Sequence, residues 1–227
     1  MIKKGAIILG AIGLTLSSCI KHEVIPAPEP TVDLKCEFSG VVGGAYTEYT
    51  ENVNGYACSP GLSKQTTAGQ TSAQYLFSMQ SQSETPYVQI GLGSLVWADP
   101  TGTSRPALTS FNQFFAPESA AMNSNTFSNG ALAGFEVTYR DAYADIWTSD
   151  ETNSTVKDVE FVTESISQES DASGDYTKFT CNFEAEVFHT YSVVDITVVP
   201  QTNPPTMRDS VASLVITDAI YKGFFKR

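Results

Sequence analysis

Histidine, serine and acidic side chains would carry any acid–base or nucleophilic chemistry, and their pattern in this sequence predicts none. Only two histidines occur, and His22 lies in a Pro-rich stretch near the N-terminus. A Ser–His–Asp arrangement would therefore depend on His189, and the Gly-x-Ser-x-Gly motif that presents such a serine is absent. We expect His189 to lie where a strand ends in a turn, and we expect no catalytic residues and no enzyme activity. A hydrolase that uses paired carboxylates is the least favoured alternative.

The usual zinc motifs, His-Glu-x-x-His and Cys-x-x-Cys, are also absent from the sequence. Two acidic turns, residues 149–151 and 171–175, carry oxygen ligands of the kind that Ca²⁺ takes, but neither matches an EF-hand loop. Glu184 and Glu186 alternate with apolar residues, as on the solvated face of a strand. We therefore expect neither a bound metal nor a cofactor.

Aromatic side chains indicate a different chemistry, the binding of carbohydrates. The flat face of an exposed Trp or Tyr covers the C–H face of a sugar ring, while nearby amides and carboxylates bind the sugar hydroxyls. The candidate contact residues are Tyr46, Tyr49, Tyr56, Trp97 and Trp147. The alternative is that these rings fill a core or form cross-strand pairs in a sheet.

The first nineteen residues have the order of a secretory signal. Two lysines precede an apolar run, residues 5–14, and small residues follow it. The run is shorter than the roughly 20 residues that a helix needs to span a bilayer. The sequence Leu-Ser-Ser-Cys at positions 16–19 resembles the lipobox of bacterial lipoproteins. This resemblance implies cleavage before Cys19, acylation of Cys19 and attachment of the protein to a lipid membrane.

A Pro-rich tether is expected to follow the lipidated cysteine. Residues 26–30 read Pro-Ala-Pro-Glu-Pro, which favours the extended polyproline II conformation. We therefore divide the chain into a signal peptide (residues 1–18), a lipidated tether (residues 19–32) and one domain (residues 33–227). Ile20 follows Cys19. Resemblance to known lipoprotein sorting signals, which place Asp there for retention in the inner membrane, implies the outer membrane, on its cell-surface or periplasmic face.

An alternation of apolar and polar residues, typical of strands with one buried face, dominates the rest of the sequence. It is clearest at residues 75–79, 135–139 and 179–187, and turn-forming residues separate such runs at short intervals. The pattern predicts an all-β fold, specifically an antiparallel β-sandwich of Ig-like or jelly-roll-like type.

Four segments depart from this alternation. An apolar face with helical spacing predicts one short helix within residues 107–116. Apolar runs at residues 193–199 and 214–216 predict central strands. The Ser- and Gln-rich stretch 63–84 is expected to begin as a mobile loop that leads into a strand.

Three strand-like segments of the second half share a further pattern. They are a hairpin made of the Gly-Phe-Glu-Val-Thr-Tyr-Arg-Asp run at 134–141 and Ile-Trp-Thr-Ser at 146–149, a Phe-x-Cys strand at 179–181 and a closing segment at 216–227. Together they resemble small uncharacterised lipoproteins of Bacteroidetes-type bacteria, although this chain has Asp-Ala at 218–219 in place of Asn-Gly. The resemblance implies a β-rich domain at the cell surface or in the periplasm, without an assigned activity.

Three cysteines, Cys36, Cys58 and Cys181, remain once Cys19 is lipidated. Outside the cytoplasm an odd number allows at most one internal disulfide. Cys36 with Cys58 is the preferred pair, because neighbouring strands could bring them together, and three buried free thiols are the alternative. The sequence Asp-Ser-Val around Ser210 resembles the O-glycosylation motif of Bacteroidetes-type envelopes, which makes Ser210 a candidate for that modification.

The charge balance disfavours nucleic acid as a partner, whereas the anchor, the spacer and the β domain favour a protein. The 227-residue chain has 13 Lys and Arg against 25 Asp and Glu, a formal charge of −12, so nucleic-acid binding is not expected. An anchor, a spacer and a β domain without a catalytic motif predict an outer-membrane lipoprotein that is an interaction or accessory subunit of a cell-envelope assembly, with an envelope protein as its partner. The alternative is a carbohydrate-binding surface lipoprotein in glycan uptake, with a glycan as ligand.

Overall fold

The computed structural model describes residues 34–116, 134–149, 157–165, 176–200 and 202–227. The predicted signal peptide, residues 1–18, lies outside the described residues, as does the tether, residues 19–32, with its lipidation site Cys19. The acidic turn at residues 171–175 also lies outside them.

Ten β-strands and one short α-helix form the described part of the chain. The strands are β1 Glu37–Val42, β2 Ala45–Thr50, β3 Tyr56–Thr67, β4 Gln70–Ser81, β5 Tyr87–Ala98, β6 Gly134–Arg140, β7 Ile146–Thr148, β8 Lys157–Ser165, β9 Tyr176–Val194 and β10 Met207–Lys226, and the helix is α1 Leu108–Phe114. Every described strand pair is antiparallel. The predicted all-β fold with one short helix is therefore confirmed.

The ten strands belong to one sheet, which curls so that its two ends approach each other. Its order is β2–β1–β10–β9–β7–β6–β5–β4–β3, and β8 pairs with the first half of β9. At the two ends, the ring of Tyr49 in β2 stacks on that of Tyr56 in β3, with centroids 4.5 Å apart. A disulfide between Cys36 and Cys58 joins the same ends. The finer expectation of an Ig-like or jelly-roll-like sandwich is not confirmed, since the strands form a single sheet instead of two sheets with Greek-key connections.

The inner face of the curled sheet holds an aromatic core. Phe77 of β4 meets Phe179 of β9 at 5.3 Å and Tyr221 of β10 at 5.4 Å between ring centroids. All three are buried, as the alternation along these strands predicts. Gly223 of β10 lies against Phe77, and a Cβ at this position would stand only 2.3 Å from the ring. Burial of each large aromatic side chain contributes about 1.5–3 kcal/mol of stability, so these contacts hold the sheet in its curled form.

The helix α1 covers the inner face near the end of β10. Phe111 and Phe115 pack against Tyr75, with ring centroids 5.5 and 5.0 Å away. Phe115 also stacks on Phe225 of β10 at 5.0 Å. This helix has seven residues, and the described part of the chain contains no helix that is long and apolar enough to cross a membrane.

The expected loop at the start of residues 63–84 is wrong, because this segment begins inside a strand. Ser63 in β3 pairs with Gln74 in β4, and Thr67 pairs with Gln70. The chain reverses at residues 68–69, which both have a positive φ, as a two-residue hairpin turn requires. Because β3 lies at an end of the sheet order, its polar side chains remain in water while its backbone pairs with β4.

The expected central strand at residues 193–199 is also wrong. The strand β9 ends at Val194, and the chain then turns at Asp195, whose carboxylate accepts hydrogen bonds from the N–H and hydroxyl of Thr197. His189 lies inside β9 instead of at a strand end. The other apolar run, residues 214–216, does lie within β10, as expected.

Candidate functional site

The two longest strands continue past their other neighbours as a two-stranded ribbon. The strands β9 and β10 contain 19 and 20 residues and pair with each other along almost their whole length. Phe188 is the last residue of β9 that pairs with β7. On the other side, β1 pairs with β10 only from Ile216 onward, so the residues of β10 before Ile216 have no partner in β1. We call residues 189–194 and 207–213 the β9–β10 ribbon. Within the described part of the chain, each of its strands is paired only with the other.

The outer face of the ribbon carries exposed apolar side chains. Val187 is buried on the inner face of the sheet, so the alternation along β9 places Thr190 and Val194 on the outer face. Their partners in β10 are Val211 and Met207. Met207 and Val211 are 51% and 61% exposed, and Val194 is exposed as well. Ser192 and Asp209 lie between these two pairs on the same face and are hydrogen-bonded to each other, so the outer face alternates between apolar and polar side chains.

The inner face of the ribbon carries the rings of His189 and Tyr191 beside the smaller side chains of Val193 and Ala212. Trp147 of β7 lies beside His189 of β9, with ring centroids 5.4 Å apart. The ring of His189 lies 6.0 Å from that of Tyr191 and almost parallel to it, at 7°. Tyr191 is exposed, and the other two rings are half-buried. We call these three residues the aromatic row.

Hydrogen bonds hold the aromatic row in place. Asp141, in the turn before β7, accepts a hydrogen bond from Nε1 of Trp147 at 3.0 Å and another from the backbone N–H of Asp145 at 3.0 Å. Nδ1 of His189 lies 2.9 Å from the carbonyl oxygen of Ile146 and therefore donates to it. Nε2 of the same ring faces a carboxylate oxygen of Asp145 at 3.8 Å. Trp147 and His189 are thus fixed by the turn and by the β7 backbone before any ligand arrives.

The predicted carbohydrate-contact residues occupy different environments, so they do not form one exposed row. Tyr49 and Trp97 are buried, because Tyr49 stacks in the aromatic core and Trp97 donates a hydrogen bond from Nε1 to the hydroxyl of Ser104. Tyr46 is exposed on β2, where its hydroxyl contacts Glu48. Among the named candidates, Trp147 alone belongs to the aromatic row.

The sequence prediction missed the two rings that accompany Trp147. His189 was expected at a strand end, and Tyr191 was not singled out. The alternation over residues 179–187 was a usable signal, because its continuation places positions 189 and 191 on the same face as the buried core. Their contact with Trp147 depends on the pairing of Thr148 with Phe188, which is a long-range feature of the sheet.

Asp99 is a buried carboxylate with a displaced pKa, and its surroundings identify a structural role. Burial alone would raise its pKa, but hydrogen bonds from the backbone and side chain of Ser104 and from the hydroxyls of Thr71 and Thr101 outweigh that effect and lower the pKa to about 2. All these donors belong to β4 or to the loop that Asp99 begins. The Asp99 carboxylate therefore holds this loop against the sheet through hydrogen bonds and stays charged at neutral pH.

The described cysteines offer no metal ligands. Cys36, Glu51 and Cys58 come close enough to surround an ion, but the two sulfurs are joined in a disulfide and cannot act as thiolates. This is the pair that we preferred from the sequence. Cys181 is a free, buried thiol, and burial raises its pKa well above its usual range, which suppresses its reactivity.

Ser210, the candidate for O-glycosylation, lies in the ribbon opposite Tyr191. Its side chain is half-buried on the inner face, and the neighbouring Asp209 accepts a hydrogen bond from the hydroxyl of Ser192 at 3.2 Å. A glycan at Ser210 would therefore occupy the same face of the ribbon as the aromatic row. The modification stays a prediction.

Two open grooves lie across β9 and β10 nearer the body of the sheet. One, of about 270 Å³, is lined by residues that include Lys178 and Lys222, and Lys222 forms an ion pair with Glu37. The other, of about 350 Å³, is lined by residues that include Glu184 and Asp218. Both are open to solvent, unlike the deep, mostly apolar pockets that bind most small molecules.

Comparison of the chain with known protein families, with curated protein sequences and with solved structures found no match. Function is therefore inferred from the chemistry of the two faces of the β9–β10 ribbon. The outer face carries the exposed side chains of Val194, Met207 and Val211 together with Ser192 and Asp209, and the inner face carries the aromatic row with two carboxylates nearby.

Proposed function

We propose that the protein is an outer-membrane lipoprotein, anchored through Cys19, that serves as an interaction subunit of a cell-envelope assembly. The β9–β10 ribbon is its docking element. The observation that carries this proposal is the edge of β10 at residues 209–213, which has no neighbouring strand within the described residues and lies beside the exposed side chains of Met207 and Val211. An edge of this kind is a site to which another strand can pair.

One edge of β10 has no neighbouring strand among the residues that the structure describes, and this free edge defines how a partner would bind. The carbonyl of Val215 accepts a hydrogen bond from the N–H of Gly43, at the end of β1. In an antiparallel strand the backbone groups of alternate residues point to the same edge, so those of Ser213, Val211 and Asp209 point to the side that β1 has left. Unpaired groups along an edge can accept another strand. We therefore propose that an extended segment of an envelope protein pairs with residues 209–213 by strand addition.

The side chains of the ribbon define the chemistry of that segment. Val211 and Met207 point outward beside this edge with Asp209 between them, so an added strand would place apolar residues opposite Val211 and Met207 and a polar residue opposite Asp209. Full burial of one such side chain is worth about 1.5–3 kcal/mol, whereas association itself costs at least about 4 kcal/mol. A ribbon contact alone therefore gives modest affinity.

The predicted membrane anchor would strengthen such a modest contact. A tether of residues 19–32 in polyproline II conformation extends about 3.1 Å per residue, which keeps the domain near the membrane but clear of the lipid headgroups. Partners confined to the same membrane meet at a high effective concentration. The anchor and the ribbon thus act together in the proposed function.

Purification of the full-length lipoprotein from outer membranes under native conditions tests this proposal. We expect a stoichiometric envelope protein to accompany the wild type and the Val96→Asp variant, whose substitution lies on an exposed position of β5. Val211→Asp should lose that protein, because it places a charge in the apolar contact. Val211→Pro should lose it too, because proline removes the N–H that points to the free edge.

A partner that stays bound to both Val211 variants would contradict the docking role of the ribbon. Purification of the wild type as a monomer without a stoichiometric partner would contradict the interaction function itself.

A further inference from the structure

The inner face of the ribbon has a chemistry that strand addition at the edge of β10 does not use. Trp147, His189 and Tyr191 follow one another across β7 and β9, with neighbouring ring centroids 5.4 and 6.0 Å apart. Their side chains lie on the side of the ribbon opposite to Val211. Tyr191, at the outer end of the row, is 43% exposed. A ligand can therefore reach this row while a protein occupies the outer face.

We propose that the aromatic row is a binding site for a neutral oligosaccharide. The exposed ring of Tyr191 and the half-buried ring of Trp147 would cover the C–H faces of sugar rings, a contact that aromatic side chains make well because their faces carry partial negative charge. A row of three rings suits adjoining sugar units of a chain better than a single monosaccharide. The proposal goes beyond the docking function, since it concerns another face and another class of ligand.

Polar groups beside the row supply the hydrogen bonds that a sugar requires. Asp145 is half-exposed at its side chain and presents acceptor oxygens next to the ring of His189. Because Nδ1 of His189 donates to the carbonyl of Ile146, Nε2 of a neutral ring is an acceptor that faces the same space. Sugar hydroxyls can donate to both groups. The bond from Trp147 to Asp141 fixes the first ring, so binding does not have to order it.

The charges around the row favour a neutral sugar over an acidic one. Asp141 and Asp145 lie beside it, and the whole chain carries a formal charge of −12. Arg208 lies on the same face of the ribbon, but it interacts with Asp195 near the tip; hydrogen bonds from Thr197 lower the pKa of Asp195, and Arg208 adds to that effect. An anionic glycan would therefore meet net repulsion at the row.

Titration calorimetry of the full-length protein in detergent tests the site. The probes are unbranched neutral hexasaccharides of glucose, mannose, galactose and xylose, with hexagalacturonate as the acidic counterpart. We expect at least one neutral probe to bind with a Kd below about 1 mM, and hexagalacturonate to bind at least tenfold more weakly. Tyr191→Ala should weaken the binding of the neutral probe by roughly threefold to tenfold, because one aromatic stacking contact is lost.

Two control variants keep the result interpretable. Tyr191→Phe retains the ring and should bind almost as the wild type does, which separates stacking from any loss of structure. Tyr46→Ala removes an exposed ring on β2 that lies outside the row, and it should leave the affinity unchanged. The proposal is overturned if no neutral probe binds the wild type at 10 mM, if hexagalacturonate binds best, or if Tyr191→Ala and Tyr46→Ala bind alike. Loss of the protein partner in the outer-face variants, with sugar binding intact, would separate this site from the docking function.

Discussion

The strands β9 and β10 have two halves that share one hydrogen-bonded ladder and differ in their surroundings. In the first half, β1 and β8 flank the pair, and the inward side chains, such as Phe179 and Tyr221, meet the aromatic core. In the second half, the β9–β10 ribbon, each strand is paired only with the other within the described residues. Apolar and aromatic side chains there, such as Val211 and Tyr191, are exposed. Burial therefore depends on where the neighbouring strands end, and the exposed half is available for binding.

The largest expected effect compares one substitution in each half of β9. Phe179→Ala should lower the free energy of unfolding by about 3–5 kcal/mol, because it leaves a cavity between Phe77 and Tyr221. Tyr191→Ala should lower it by less than about 1 kcal/mol, because its ring is exposed and contacts one neighbour. Urea unfolding of both variants measures the difference. Equal losses would show that the ribbon is part of the cooperative core.

A smaller effect compares two carboxylates, one in the body and one at the tip of the ribbon. The pKa of Asp99 is lowered to about 2 from an ordinary value near 3.8, so the charged form stabilises the fold fully above about pH 4, and this contribution is lost as the pH falls towards 2. Hydrogen bonds from Thr197 also lower the pKa of Asp195, which is more exposed. Acid unfolding of Asp99→Asn should therefore depend less on pH between 4 and 2 than that of the wild type. Asp195→Asn should change this dependence less, and the reverse order would contradict the structural role of Asp99.

Local patterns in the sequence predict the body of the molecule better than its ribbon. The alternation over residues 179–187 gives the correct inner face of β9, and helical spacing within residues 107–116 locates α1. The run at residues 193–199 reads as a buried strand because its valines are apolar. Most of these residues are exposed because β1 and β7 end before they reach this part of the molecule. Where β1 and β7 end is set by their pairing with β10 and β9, which are distant from them in sequence.

Local sequence patterns also predict the candidate site only in part. Trp147 and Trp97 are both candidate carbohydrate contacts by residue type, but Trp97 is buried and its Nε1 donates a hydrogen bond to the hydroxyl of Ser104. Residue type cannot distinguish them, because exposure depends on the loop or strand that covers each ring. His189 joins Trp147 only through the pairing of β7 with β9. The chemistry of single residues is thus readable in the sequence, and their assembly into a row is not.

The central claim is that the β9–β10 ribbon docks a protein partner, and photo-crosslinking in intact cells tests it most directly. A photoreactive residue replaces Val211 in the ribbon or, as a control, Val96 in β5, which is also exposed. We predict that the protein with the probe at position 211 forms one discrete crosslinked product with an envelope protein, and that the protein with the probe at position 96 does not. The same products from both positions, or none from position 211, would contradict the claim.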